Sequence, residues 1–204
     1  MDENKKLESN KNLIKSFEDL EKKYSTNDKL REEIIIRSRD IIKPSKQAIY
    51  SLHRNNIETA KKLIETAKKN ITEIKNILEK SEFKEVGAFR NSLEEFIEAT
   101  SFLFVIENKK IPTLEELELP LKVSTETYLL GLSDLTGELV RKSVTNATNK
   151  QYLEVEEFFF IVEELYGLFM KFNFRGGELR KKFDSIRYNL SKIQSIVYDI
   201  HMRR

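Results

Sequence analysis

Apolar positions recur every three or four residues along almost the whole chain. Ile57, Leu63, Ile64, Ile71, Ile74, Ile77 and Leu78 form one such stripe. Leu179, Phe183, Ile186, Leu190, Ile193, Val197 and Ile200 form another, at heptad-like spacing. This is the period of a helix with one buried face, and no alternating pattern lasts long enough to predict a strand. Six helical segments follow: about 11–54, 57–80, 82–107, 125–147, 151–173 and 178–200. The first is expected to break near Ser25–Asp28 and to kink at Pro44. Asn56 stands where the second needs an N-cap. The long connection, "NKKIPTLEELELPLKV", is punctuated by Pro112 and Pro120. The fold class is all-α, a bundle of six to seven long helices in a single domain over residues 1–204, with a polar, flexible start over 1–10.

Composition narrows the chemistry. Of 204 residues, 39% are apolar and 34% charged, with 13 Phe, only 6 Gly and 3 Pro, which suits a packed globule rather than a disordered chain. The absence of Cys excludes disulfides and thiolate chemistry and fits a reducing, cytoplasmic setting. Two His, His53 and His201, are too few for a His-rich centre. No apolar run approaches the ~18 residues that a membrane span needs, and no membrane partner is expected. Net charge is +2, so any recognition of a charged partner depends on where the charges lie.

Two acidic pairs interrupt otherwise apolar helices. "EEFIEATSF" carries Glu95 and Glu98, three apart; "GLSDLTGELVRKS" carries Asp134 and Glu138, four apart. Such spacings put each pair on one helix face, where like charges repel. Ordinary surface charge or ion pairs with Arg90 or Arg141 would explain them. A metal would explain them as well: four carboxylates are oxygen donors suited to Mg²⁺ or Mn²⁺, and such an ion activates water and steadies phosphoryl charge. Gly131, beside the second pair, leaves room for a helix or a ligand to approach. Clustered cations form a second candidate feature: Arg37, Arg39, His53 and Arg54 early in the chain, and Arg175, Arg180, Lys181, Lys182 and Arg187 near its end. They could meet phosphates or simply be solvated faces, and His53 taken alone reads as a packing or hydrogen-bonding residue rather than a ligand.

Several blocks resemble the translin family. "YLLGLSDLTGELVRKSVTNAT" and "SLEEFIEATSF" are similar to its translin-associated factor X (TRAX) branch, "LRKKFDSIRYNLSKIQSIVYDI" is closer to translin itself, and "RSRDIIKPSKQAIYSLHR" resembles their first long helix. The blocks fall in family order from about Arg31 to the end. The resemblance implies a translin-like helical fold, assembly into a hollow homo-octamer, binding of single-stranded RNA and also DNA, and Mg²⁺-dependent endoribonuclease activity of the TRAX kind. It places Glu95, Glu98, Asp134 and Glu138 at the catalytic, metal-holding positions. A single prokaryotic-type homologue would combine binding and cleavage in one homo-oligomer. The alternatives are a translin-like single-stranded nucleic-acid binder without catalysis, and a helical scaffold with neither activity. Uninterrupted apolar residues at Phe158, Phe159, Phe160, Ile161 and Val162 add a reason to expect subunit contacts.

Overall fold

The computed structural model describes residues 3–83 and 86–202. Six helices account for its architecture: α1 (Glu3–His53), α2 (Ile57–Leu78), α3 (Gly87–Asn108), α4 (Thr125–Thr148), α5 (Tyr152–Phe169) and α6 (Gly177–Met202). No strand occurs among the described residues. The helix order therefore agrees with the periodicity, and the count takes the lower of the two expected values.

The clearest departure is α1. It runs unbroken for 51 residues, about 76 Å at 1.5 Å per residue. The expected break at Ser25–Asp28 does not occur. Ser, Thr, Asn and Asp are only mildly unfavourable inside a helix, and here Thr26 satisfies its hydroxyl on the Lys22 carbonyl at 2.9 Å. Asn27 reaches across to Glu82 at 3.0 Å. Pro44 lies buried within the same helix. At the other end, the left-handed Asn55 (φ 59°) turns the chain, and the Asn56 side chain accepts the Thr59 N–H at 3.2 Å, capping α2 as expected.

The second half of α1 packs on α2 and α3; α3 packs on α4, and α4 on α5 and α6, which also pack on each other. The core runs through all six helices, with Phe96, Phe102, Phe158, Phe169, Ile41 and Leu130 among its fully buried side chains. At the middle of this stack, α3 and α4 come unusually close. A Cβ added to Gly131 would lie 2.6 Å from the Ile97 Cγ2 and 3.0 Å from the Glu94 carbonyl. The space left at Gly131 is thus taken by helix α3, not by a ligand. Of the α6 seam, Ile186, Ile193 and Ile200 are buried and Leu179, Phe183, Leu190 and Val197 partly so, and the Asn189 amide donates to the Thr136 hydroxyl at 2.9 Å, locking the register of α6 on α4.

Candidate functional site

The close approach at Gly131 carries the acids of α3 and α4 toward one another. Glu98 is buried, with only 9% of its surface exposed. Burial is the largest influence on its carboxyl, and the negative charges of Asp134, Glu138 and Glu95 add to it; together they push the pKa up to about 9. The other three acids singled out in the sequence are therefore all within electrostatic reach of Glu98.

Each neighbour of Glu98 is turned toward its own cation. Asp134 bonds to the Lys182 ammonium of α6. Glu138 bonds to Nε2 of His53, at the end of α1, and lies 3.6 Å from Arg141. Glu95 pairs with Lys46 at 3.1 Å. Glu98 itself makes no hydrogen bond or ion pair among the described residues. In this arrangement, and among the described residues, no three acidic or histidine side chains converge to hold a metal ion. The donor set nevertheless suits one: four carboxyl groups, all oxygen donors, of which the buried Glu98 has three acidic neighbours and no direct partner.

The site extends beyond the four expected acids. Glu94, with its side chain 11% exposed, lies one turn before Glu98. Its pKa is pushed up to about 7, chiefly by burial and then by Glu178 of α6, against the opposing pull of Arg90. Spacing alone could have found it, since Glu94 and Glu98 repeat the four-residue interval of Asp134 and Glu138. Glu178, Lys46 and the contact of Lys182 with Asp134 lie far away in sequence and left no local signal. Lys142 is another such case. This buried amine donates to the carbonyls of Leu52 (3.0 Å) and His53 (3.2 Å) and to the Asn55 side chain, capping the C-terminus of α1.

The expected phosphate-binding cations divide into three groups. His53 faces inward: its side chain is 8% exposed, its ring lies 5.1 Å from that of Phe102, and its Nδ1 is buried without a hydrogen bond. Lys182 also belongs to the acid cluster. Arg37 and Arg180 are on the surface but engaged, Arg37 with Glu33 and Glu73 (2.8 Å each), Arg180 with Asp184 at 3.3 Å and over the Phe183 ring. Arg39, Arg54, Arg175, Lys181 and Arg187 are exposed, and Arg54 lies over the Tyr50 ring at 5.7 Å.

A stack of six helices with a carboxylate cluster at the junction of α3, α4 and α6 defines an acid-centred helical protein of the translin type. The Translin family model matches residues 29–204, and the chain belongs to the translin family. It is 32% identical to an uncharacterised protein of Methanocaldococcus jannaschii, over 88% of this chain and 84% of that one. It is 24% identical to translin-associated protein X of Rattus norvegicus, over 98% of this chain and 82% of the relative. Among solved structures it is similar to apo-NeC3PO, with 26% identity, a TM-score of 0.80 and coverage of 90% and 96%. A complex of AfC3PO with duplex RNA has the same fold at 22% identity, with a TM-score of 0.81 and coverage of 93% and 98%.

Proposed function

We propose that this protein binds RNA and cleaves it as a divalent-metal-dependent endoribonuclease acting on single strands. The observation that carries this reading is Glu98. A carboxylate buried beside three others is costly for stability alone, and an oxygen-preferring divalent cation is the partner that this charge balance calls for. Glu95, Glu98, Asp134 and Glu138 would hold Mg²⁺ or Mn²⁺. When bound, such an ion supplies water activation and charge stabilisation at the phosphodiester.

The chain's own side chains prepare that chemistry. His53 and Phe102 keep Glu138 on the inner side of α4. The contact of Ile97 with Gly131 holds the α3 acids against those of α4. Arg141, beside Glu138 and largely exposed, is placed to meet an incoming phosphate. Lys181, Arg175 and Arg187 extend positive charge along and before α6. The RNA in the AfC3PO complex supports nucleic acid as the partner class; single strands, with DNA as a second ligand, follow from the family resemblance.

A second reading has its own observation. Because Asp134, Glu138 and Glu95 each already face a cation, Lys182, Arg141 and Lys46 respectively, the cluster could be a closed ion-pair network in a nucleic-acid binder without turnover. Labelled single-stranded RNA incubated with Mg²⁺ or with chelator separates the two. Cleavage that needs Mg²⁺ and is lost in Glu95→Gln, with RNA still bound, is the expected result. Binding without metal-dependent cleavage would establish the second reading.

Oligomerisation is part of the proposal. Leu153, Phe160, Met170 and Phe172, along and just after α5, are 73%, 61%, 62% and 46% exposed, as are several apolar residues of α1. A second copy of the chain is the natural cover, and the family resemblance points to a homo-octamer.

A further inference from the structure

The acid cluster contains a cation that the chain supplies itself. Lys182 lies on the side of α6 that faces α4: Ile186, Asn189 and Ile193, at the next helical intervals, are respectively buried, bonded to Thr136 and buried. That register places the Lys182 ammonium on the Asp134 carboxylate. Its side chain is only 29% exposed, while Lys181 beside it is open to solvent. The Glu98 carboxyl of α3 lies within electrostatic reach of the same ammonium, so one side chain of α6 faces acids of both α3 and α4.

From this placement, and resting on the metal-site reading above, we propose that Lys182 is a tethered counter-ion: its ammonium occupies Asp134 in the metal-free chain, and a divalent cation must displace it to enter the cluster. An ammonium and a divalent cation a few ångströms apart repel strongly in a half-buried site, so both cannot sit on one carboxylate at no cost. Lysine suits exchange of this kind. It is a point charge on a flexible stem and can swing to solvent, whereas a bidentate arginine would hold the carboxylate more firmly. Lys182 thereby keeps the acids compensated when the metal is absent and sets the threshold for metal entry.

The test is a calorimetric titration of Mn²⁺ into the metal-stripped full chain, in four forms: unmodified, Lys182→Met, Lys182→Arg and Lys181→Met. Lys182→Met is expected to bind Mn²⁺ about tenfold more tightly than the unmodified chain, because no cation has to leave. Lys182→Arg should bind no more tightly than the unmodified chain. Lys181→Met, which removes the same charge from an exposed neighbour, should stay within about threefold. In thermal melts, Mn²⁺ should raise the melting temperature of Lys182→Met more than that of the unmodified chain, which also shows that the variant folds. If the unmodified chain binds Mn²⁺ but Lys182→Met binds no tighter than Lys181→Met, the counter-ion proposal is overturned and the metal site stands. If no form binds Mn²⁺, the metal reading fails and takes the counter-ion proposal with it.

Discussion

The α3–α4 junction and the first half of α1 depart from ordinary protein surfaces in opposite senses. At the junction, carboxylates lie where packing would favour apolar groups: Glu98 is 9% exposed and surrounded by three other acids. In α1, apolar side chains lie where solubility would favour charge. Leu13, Ile14, Phe17, Leu20 and Tyr24 form a helical stripe and are 55–76% exposed. Both arrangements cost free energy in an isolated chain, and each marks a missing partner by its chemistry. Buried like charges call for a cation; an exposed apolar stripe calls for another apolar surface.

The largest expected effect comes from Glu98→Gln. Cleavage should fall to background, while the metal-free chain becomes more stable at pH 8. The sign follows from the raised pKa. Folding favours the protonated acid, so the stabilisation is full below the unfolded value near 4.5 and is lost as pH rises through about 9. Glu94 adds a similar loss as pH rises through about 7. Melts in chelator should therefore weaken from pH 5 to pH 9, and Glu98→Gln should remove much of that slope, a gain on the order of 3 kcal/mol at pH 8. A variant no more stable than the parent at pH 8 would show that Glu98 carries no uncompensated cost.

Phe17→Asp combined with Leu20→Asp tests the other region. Light scattering should show the parent as an oligomer and the double variant at a much smaller mass, toward the 24.1 kDa of one chain. The α1–α3 core should still melt cooperatively, since both residues are exposed. A parent already at 24.1 kDa would refute the oligomer.

Gly131→Ala acts on the contact that brings the two acid-bearing helices together. The new methyl would meet Ile97 and the Glu94 carbonyl, and overpacking of this kind costs about 1–3 kcal/mol. Cleavage should fall further than stability, because spreading α3 from α4 separates Glu98 from Asp134. Equal loss of both would make Gly131 a packing residue only.

The sequence made these regions visible to different degrees. Helix order follows from apolar periodicity because each helix buries one face. The Asn56 cap is a local feature and could be read as such. The acid pairs stood out because carboxylates sat among Phe, Ile and Leu. What stayed hidden was pairing across the bundle. Nothing near residue 46 signals Glu95, and nothing near residue 182 signals Asp134; only packing of α1 on α3 and of α6 on α4 joins them. His53 and Arg54 are neighbours in sequence, yet His53 turns inward as a packing and hydrogen-bonding residue while Arg54 turns outward, and only the Glu138 partner of His53 across the bundle was hidden. The continuity of α1 through Ser25–Asp28 was hidden for a related reason, since Asn27 is held by Glu82 from beyond α2.

The smallest expected effect concerns the exposed cations of α6. Lys181→Ala should weaken single-stranded RNA binding at low salt and reduce the slope of log affinity against log salt by roughly 0.7, the value for one phosphate contact on a single strand. Arg180→Ala should do less. Its guanidinium is already shared between Asp184 at 3.3 Å and the Phe183 ring, so meeting a phosphate requires giving up contacts that the free protein has made. If the two variants were equal, the Arg180–Asp184 pair would be too weak to hold Arg180 back, as many exposed pairs are. If neither changed the slope, the RNA path would leave α6 and run along the exposed arginines of α1.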